Sequence, residues 1–187
     1  MKRFPYVAHA IVCFLLVVLD QITKYFARTV LQEQSQEIWE GVFSLHYLEN
    51  RGSLWGILQG KVDLLLIASV LVFAALVYFY IKMPKTDFYL PLFWIVVLMG
   101  AGGIGNTIDR VFFGYVTDFL YFELIDFPIF NVADCYITVG GFPIAFLVLF
   151  GRYKDDEFRF LLPGKKRKET SHVTDTDPDE NRNGRRV

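Results

Sequence analysis

Between Gly102 and Asp134 the chain places Asp109, Arg110, Asp118, Glu123, Asp126 and Asp134, flanked by apolar runs at Phe88–Met99 and Cys135–Phe150. Charge at the edge of hydrocarbon is expensive, roughly 2.5–3.5 kcal/mol on insertion scales for a central Asp, Lys or Arg. Ionisable groups kept there mark a functional site. Asp118 and Asp134 suit acid–base chemistry best. Asp118 lies in Val116-Thr117-Asp118-Phe119, whose apolar members raise a carboxylate's pKa; Asp134 follows Asn131-Val132-Ala133, and the small Ala133 leaves access. Two carboxylates held close in low dielectric do not both ionise easily, so the pair offers a base and an acid together. Such a pair can take a proton from a water attacking an amide carbonyl, then protonate the leaving nitrogen. A plainer alternative stays open: interfacial charges or helix N-caps, with Asn131 and Asp134 standing where a helix begins.

The other polar residues divide similarly. Asp109 and Arg110, adjacent at the end of an apolar run, read as a structural ion pair; Arg110 could equally contact phosphate or peptide carbonyls. Asn106 shares a helix face with Asp109 and can hold it or a substrate backbone. Asn50-Arg51-Gly52-Ser53 reads as a turn. Lys61 and Asp63 read as interface anchors. His9, His46 and His172 have no metal-ligand spacing, and Cys13 and Cys135 sit in apolar runs as small hydrophobes. Neither a metal nor a cofactor is expected.

These residues need a scaffold, and composition says which. The 187 residues are 53% hydrophobic and 17% aromatic, above the roughly 45–50% apolar content of soluble domains. Four apolar stretches are long enough to cross a bilayer at about 1.5 Å per residue: about 6–27, 62–82, 88–109 and 132–151. The first follows Met1-Lys2-Arg3 but lacks a small-x-small cleavage signal, so it reads as an uncleaved span. Asp20 and Lys24, four apart, can pair on one face of it. Gly100, Gly102, Gly103 and Gly105 crowd the end of the third, permitting close helix packing or close approach to a ligand. Between spans, Val42–Leu48 has the content of a strand, with Phe43, Leu45 and Tyr47 on one face. Residues 111–130 read as an interfacial or re-entrant segment.

Lys2, Arg3, Lys82, Lys85 and the basic residues from Arg152 onward fall on one side of a four-span arrangement. The positive-inside rule makes that side cytoplasmic. The fold expected is an all-α polytopic membrane protein of four transmembrane helices with a small extracytoplasmic β-sheet and both termini cytoplasmic. Residues 1–152 form the membrane domain, with 28–61 and 110–131 extracytoplasmic, and 153–187 a charged, largely disordered tail. This topology brings Asp20, Asp109, Asp118 and Asp134 to one depth, near the outer boundary. A proton-coupled transporter would need acids spread through the membrane, and the spans offer no such relay. A non-catalytic scaffold with a capped polar cluster is the other alternative.

Five stretches, in order, resemble signal peptidase II, the bacterial lipoprotein signal peptidase family. They are Asp20-Gln21-Ile22-Thr23-Lys24, Asn50-Arg51-Gly52-Ser53-Leu54-Trp55-Gly56, Gly102 through Arg110, Val116-Thr117-Asp118-Phe119 and Phe130-Asn131-Val132-Ala133-Asp134. The resemblance covers residues 7–152. It implies an aspartyl endopeptidase of the cytoplasmic (inner) membrane, active toward the extracytoplasmic face. Such enzymes cut prolipoproteins on the N-terminal side of a diacylglyceryl-modified lipobox cysteine and are inhibited by globomycin. The catalytic pair then falls on Asp118 and Asp134. Asp20, Lys24, Asn50, Gly52, Gly105, Asn106, Asp109, Arg110, Asn131 and Ala133 bind substrate or support the site. Substrate and membrane lipid are the expected partners of a monomer, with no nucleic acid. Ala101, where the family usually opens its glycine pair, and Leu54, where a small residue is usual, depart from the pattern.

Overall fold

The computed structural model describes residues 4–52 and 60–149. Helix α1 (Tyr6–Phe26) runs into a single π-helical turn, Ala27–Leu31, and a three-stranded antiparallel sheet follows in the order β1-β2-β3. Its members are β1 (Gln36–Trp39), β2 (Phe43–Asn50) and, much later in the chain, β3 (Val116–Tyr121). Helix α2 (Val62–Lys82), a 3-10 turn (Asp87–Tyr89) and helix α3 (Leu90–Phe113) lie between β2 and β3; a 3-10 turn (Glu123–Ile125) leads to helix α4 (Val132–Leu149). Three helical stretches among the described residues are long and apolar enough to cross a membrane: Tyr6–Leu31, Val62–Lys82 and Asp87–Phe113. Exposed large apolar side chains cover them, including Val7, Phe14, Leu71 and Ile81. In water that surface would be a liability, whereas in lipid it is the outside of the protein.

Helix α3 is the hub, packing against α1, α2 and α4. Its glycines make this possible. A methyl on Gly102 would strike the carbonyl oxygen of Ala133, and one on Gly105 would strike the Asp20 carboxylate. The backbones of α1, α3 and α4 therefore approach as closely as small-residue interfaces in membranes allow. Apolar packing occupies the two ends of the molecule. Met83, Tyr89, Leu92, Phe93 and Val96 form one cluster, and Ala27, Leu31 and Phe119 form another beneath the sheet.

Residues 111–130 differ from the interfacial segment expected of them. Helix α3 continues to Phe113, ends on Gly114 in the left-handed conformation (φ +74), and turns straight into β3. That cap suits glycine, which carries no Cβ penalty there. The segment forms a strand because Val116, Thr117 and Phe119 are β-formers whose ladder partner, β2, is distant in sequence. The strand expected at 42–48 is present as β2, interrupted by an irregularity between Leu45 and Leu48; β1, in a polar stretch, had no comparable signal. The tail expected at 153–187 and the turn residues Ser53 and Leu54 lie outside the described residues.

Candidate active site

The site is assembled from a stripe on α1 and the π turn after it, the end of β2, the last turns of α3, β3 and the first turn of α4. Asp20, Lys24 and Arg28 recur every four residues and so share one helix face. The ammonium of Lys24, fully buried, lies 3.0 Å from Asp20 Oδ2 and 3.4 Å from Asp109 Oδ2. Arg28 lies 3.6 Å from Asp109 Oδ1, donates to Thr117 Oγ1 at 2.9 Å and sits 4.3 Å over the Phe113 ring. Two acids and two bases thus neutralise one another away from water, the condition under which buried charge is tolerated. Both carboxylates also accept a backbone N–H. Asp20 Oδ1 accepts the backbone N–H of Ala133 at 2.9 Å, and Asp109 Oδ2 accepts that of Thr117 at 2.9 Å. The network therefore fastens α1 to α3, to the residue before Asp118 and to the residue before Asp134.

This geometry revises the expected partnership of Asp109 with Arg110. Adjacent helix residues point about 100° apart, so Asp109 turns inward to Lys24 while Arg110 turns away and donates weakly to the Asn106 carbonyl at 3.4 Å. Asn106, expected to hold Asp109 or a substrate backbone, instead connects Lys24 with Asp134. It accepts from Lys24 Nζ at 2.8 Å and donates through Nδ2 to Asp134 Oδ1 at 2.8 Å.

Around Asp118 and Asp134 every carboxylate oxygen accepts one hydrogen bond from nitrogen. Asp118 Oδ1 receives Asn131 Nδ2 at 2.6 Å, and its Oδ2 receives Asn50 Nδ2 at 2.7 Å. In the sheet, Asn50 pairs with Val116 and Leu48 with Asp118, so Asn50 and Asp118 are diagonal neighbours on one face. Asn50 also closes its turn, its Oδ1 accepting Gly52 N–H at 3.0 Å. The turn expected at that point and the contact to an acid are two uses of one amide.

The same holds at α4. Asn131 Oδ1 accepts the backbone N–H of Asp134 at 3.0 Å, and Asp134 Oδ2 accepts that of Asn131 at 3.2 Å. This reciprocal pair is a capping box. The helix cap expected as the plainer alternative is therefore present, and the residue that makes it, Asn131, holds Asp118 at the same time.

Asp118 is 1% exposed. Burial, then the negative charge of Asp134, push its pKa up to about 7, against the opposing pull of the Asn50 and Asn131 amides. Asp134 is half-buried and opens on a groove of about 300 Å³ between α2, α3 and α4. Asn106 and Arg110 line the polar end of that groove; Leu65, Val72, Met99 and Ile137 line its apolar length. Such a cleft can admit an apolar chain beside a peptide bond. Among the described residues no cluster of His, Cys, Asp and Glu is arranged to hold a metal ion.

All twelve residues expected at the site from sequence lie in this region. Gly105 and Ala133 enter as close-packing and backbone positions, and Gly52 as a turn donor. Three contributors were not singled out: Gln21, whose Nε2 reaches Asp20, Gly105 and Asp109 at 3.2 Å each, Arg28 and Thr117. The four-residue spacing of Arg28 from Lys24 is the signal that would have found it.

A solved structure described as a bacterial membrane enzyme shares this fold, with TM-score 0.72 and 34% identity over 82% of this chain and 96% of that one. The class is therefore that of multi-pass membrane enzymes. Within it, the family model described as signal peptidase (SPase) II matches residues 12–150. The lipoprotein signal peptidase of Streptococcus thermophilus (strain CNRZ 1066) is 42% identical over 135 residues, 72% of this chain and 87% of that protein. That of Caldanaerobacter subterraneus subsp. tengcongensis is 41% identical over 145 residues, 76% and 96% of the two. That of Staphylococcus aureus (strain MRSA252) is 34% identical over 157 residues, 82% and 93% of the two. The chain belongs to the signal peptidase II family, a family of peptidases.

Proposed function

We propose that this chain is a membrane-embedded aspartyl endopeptidase that removes signal peptides from prolipoproteins, cutting on the N-terminal side of a diacylglyceryl-modified lipobox cysteine. The observation that carries the reading is Asn131. Its side chain and backbone bond both Asp118 and Asp134, and Asp134 opens on a largely apolar groove. One carboxylate takes a proton from water as the water oxygen attacks the scissile carbonyl carbon. The other carboxyl gives its proton to the amide nitrogen as the carbon–nitrogen bond breaks. One proton is accepted and one donated, so the pair ends with the count it began with. Which aspartate does which is a property of the coupled pair rather than of either residue.

Nitrogen donors already occupy each carboxylate oxygen, which leaves the partner carboxylate, water or substrate to accept the pair's proton. Arg110 and Asn106 face the groove and suit the substrate's carbonyls. The apolar groove walls suit the lipid chains of the substrate, and globomycin-type inhibitors would compete for the same space. In this reading α4, 18 residues and about 27 Å long, is the fourth span. Both termini are cytoplasmic, and the sheet covers the site on the extracytoplasmic face of the cytoplasmic membrane. Residues 153–187 form a cytoplasmic tail, and the enzyme works as a monomer.

The test is cleavage of a synthetic diacylglyceryl-modified lipobox peptide by the purified full chain, with products weighed by mass spectrometry. The expected product begins with the lipid-bearing cysteine. Failure to cut, or cutting elsewhere, would overturn the proposal.

A further inference from the structure

A carboxamide has two ends of similar shape and opposite polarity, so an asparagine beside a carboxylate helps or harms according to which end it presents. Three asparagines face the two aspartates, and each presents its NH2 group. In each case the carbonyl end is held by a group that can only donate. For Asn50 it is the backbone N–H of Gly52 at 3.0 Å, and for Asn131 the backbone N–H of Asp134 at 3.0 Å. Those two locks belong to the main chain and are present whatever the neighbouring side chains. Asn106 differs. Its Oδ1 is held at 2.8 Å by Lys24 Nζ, an ammonium with three donors and no acceptor. Lys24 is itself fixed, fully buried and anchored by Asp20 and Asp109 on two helices.

We propose that Lys24 is a positioning residue that holds the Asn106 amide with its donor end toward Asp134, completing a set of three amides that offer only N–H to the reactive pair. Lys24 touches neither aspartate of the pair through any hydrogen bond of its own; it acts through Asn106. Without its ammonium the Asn106 side chain is free to turn over. The carbonyl oxygen would then oppose Asp134 Oδ1, which would hold the shared proton in place as a donor to Asn106 instead of leaving it for the leaving nitrogen. The inference rests on the aspartyl reading above and assigns a specific task to a residue outside the pair.

The experiment is a double-mutant cycle on Lys24 and Asn106, read in kcat and KM for the lipobox peptide. It is run with the full chain, and Lys24→Met is always made together with Asp20→Asn, so that Asp109 stays paired with Arg28 and the buried charge is balanced in every member of the cycle. Lys24→Met is expected to lower kcat about 10²-fold with KM held within about twofold, as a small misplacement of a reacting group does. Asn106→Leu is expected to do the same, and the two together to cost no more than Asn106→Leu alone, because Lys24 has nothing left to orient. A purely structural Lys24 predicts effects that multiply, or a lowered melting temperature with kcat unchanged; either overturns the proposal. Should Lys24→Met not fold, Asn106→Asp in the otherwise unaltered chain tests the same geometry. Lys24 would pair with the new carboxylate and leave its second oxygen against Asp134, so kcat should fall by about 10²-fold or more; kcat at the parent level overturns the proposal. Full activity in Asp118→Asn or Asp134→Asn would instead show that the aspartyl reading itself had failed.

Discussion

Helices α1 and α2 are both apolar, both 21 residues long, and held in the molecule by different means. α1 buries His9, Asp20 and Lys24 and is tied by ion pairs and hydrogen bonds to α3 and α4, and to β3 through Arg28 in the π turn that follows it. α2 buries no residue and packs mainly against α3; a 2.8 Å hydrogen bond between Tyr80 and His9 joins it to α1, and the groove to Asp134 runs along its side. Charge fixes geometry because its partners are few and directional. Apolar contact is tolerant and admits rearrangement. In the proposed reading the molecule thus has a rigid seam that aligns the aspartates and a loose wall where a lipid-bearing substrate can enter.

Substitutions on the rigid side should be costly and those on the loose side selective. The largest effect is expected at the pair. Asp118→Asn and Asp134→Asn should each lower kcat by at least about 10²–10⁴-fold, the range for losing a general acid or base, with the melting temperature little changed. Next comes the seam. Asp109→Ala leaves Lys24 and Arg28 short of one counter-charge and should destabilise by about 3–5 kcal/mol, seen in detergent melting curves. Gly102→Ala drives a methyl into the Ala133 carbonyl and should cost about 1–3 kcal/mol. The loose wall should respond otherwise. Ser69 of α2 also lines the groove, so Ser69→Phe narrows it and should raise KM by about tenfold while melting is unchanged. A Ser69→Phe protein that fails to fold would erase the distinction between the two helices.

Much of this division could be read in the chain. Three of the four expected spans are present as long apolar helical stretches, and the pairing of Asp20 with Lys24 followed from helical spacing. The convergence of four acids at one depth followed from topology. What could not be read depends on contacts between distant segments. β3 escaped because its partner strand lies more than sixty residues earlier, so no local period announced it. Asp109 was given the wrong partner because adjacency in sequence is not adjacency on a helix. The double employment of Asn50 and Asn131, each closing a local turn while holding Asp118, is invisible until both ends of the amide are seen.

The smallest effect probes the pair most finely. The Asn50 amide favours the charged form of Asp118, so Asn50→Leu should let that carboxyl keep its proton to higher pH. The alkaline limb of the pH–rate profile should therefore move up by roughly one pH unit, about 1.4 kcal/mol of lost donation.

The central claim is that Asp118 and Asp134 work with one proton between them, and the pH dependence of kcat in the parent enzyme tests it most directly. Burial and the neighbouring Asp134 push the pKa of Asp118 up to about 7. The pair therefore holds its proton below that pH and loses it above, whichever carboxyl is the acid. kcat should fall as pH rises through about 7, and with it the general acid. Constant kcat from about pH 5 to 9, a range in which such a pair must change its proton count, would contradict the account.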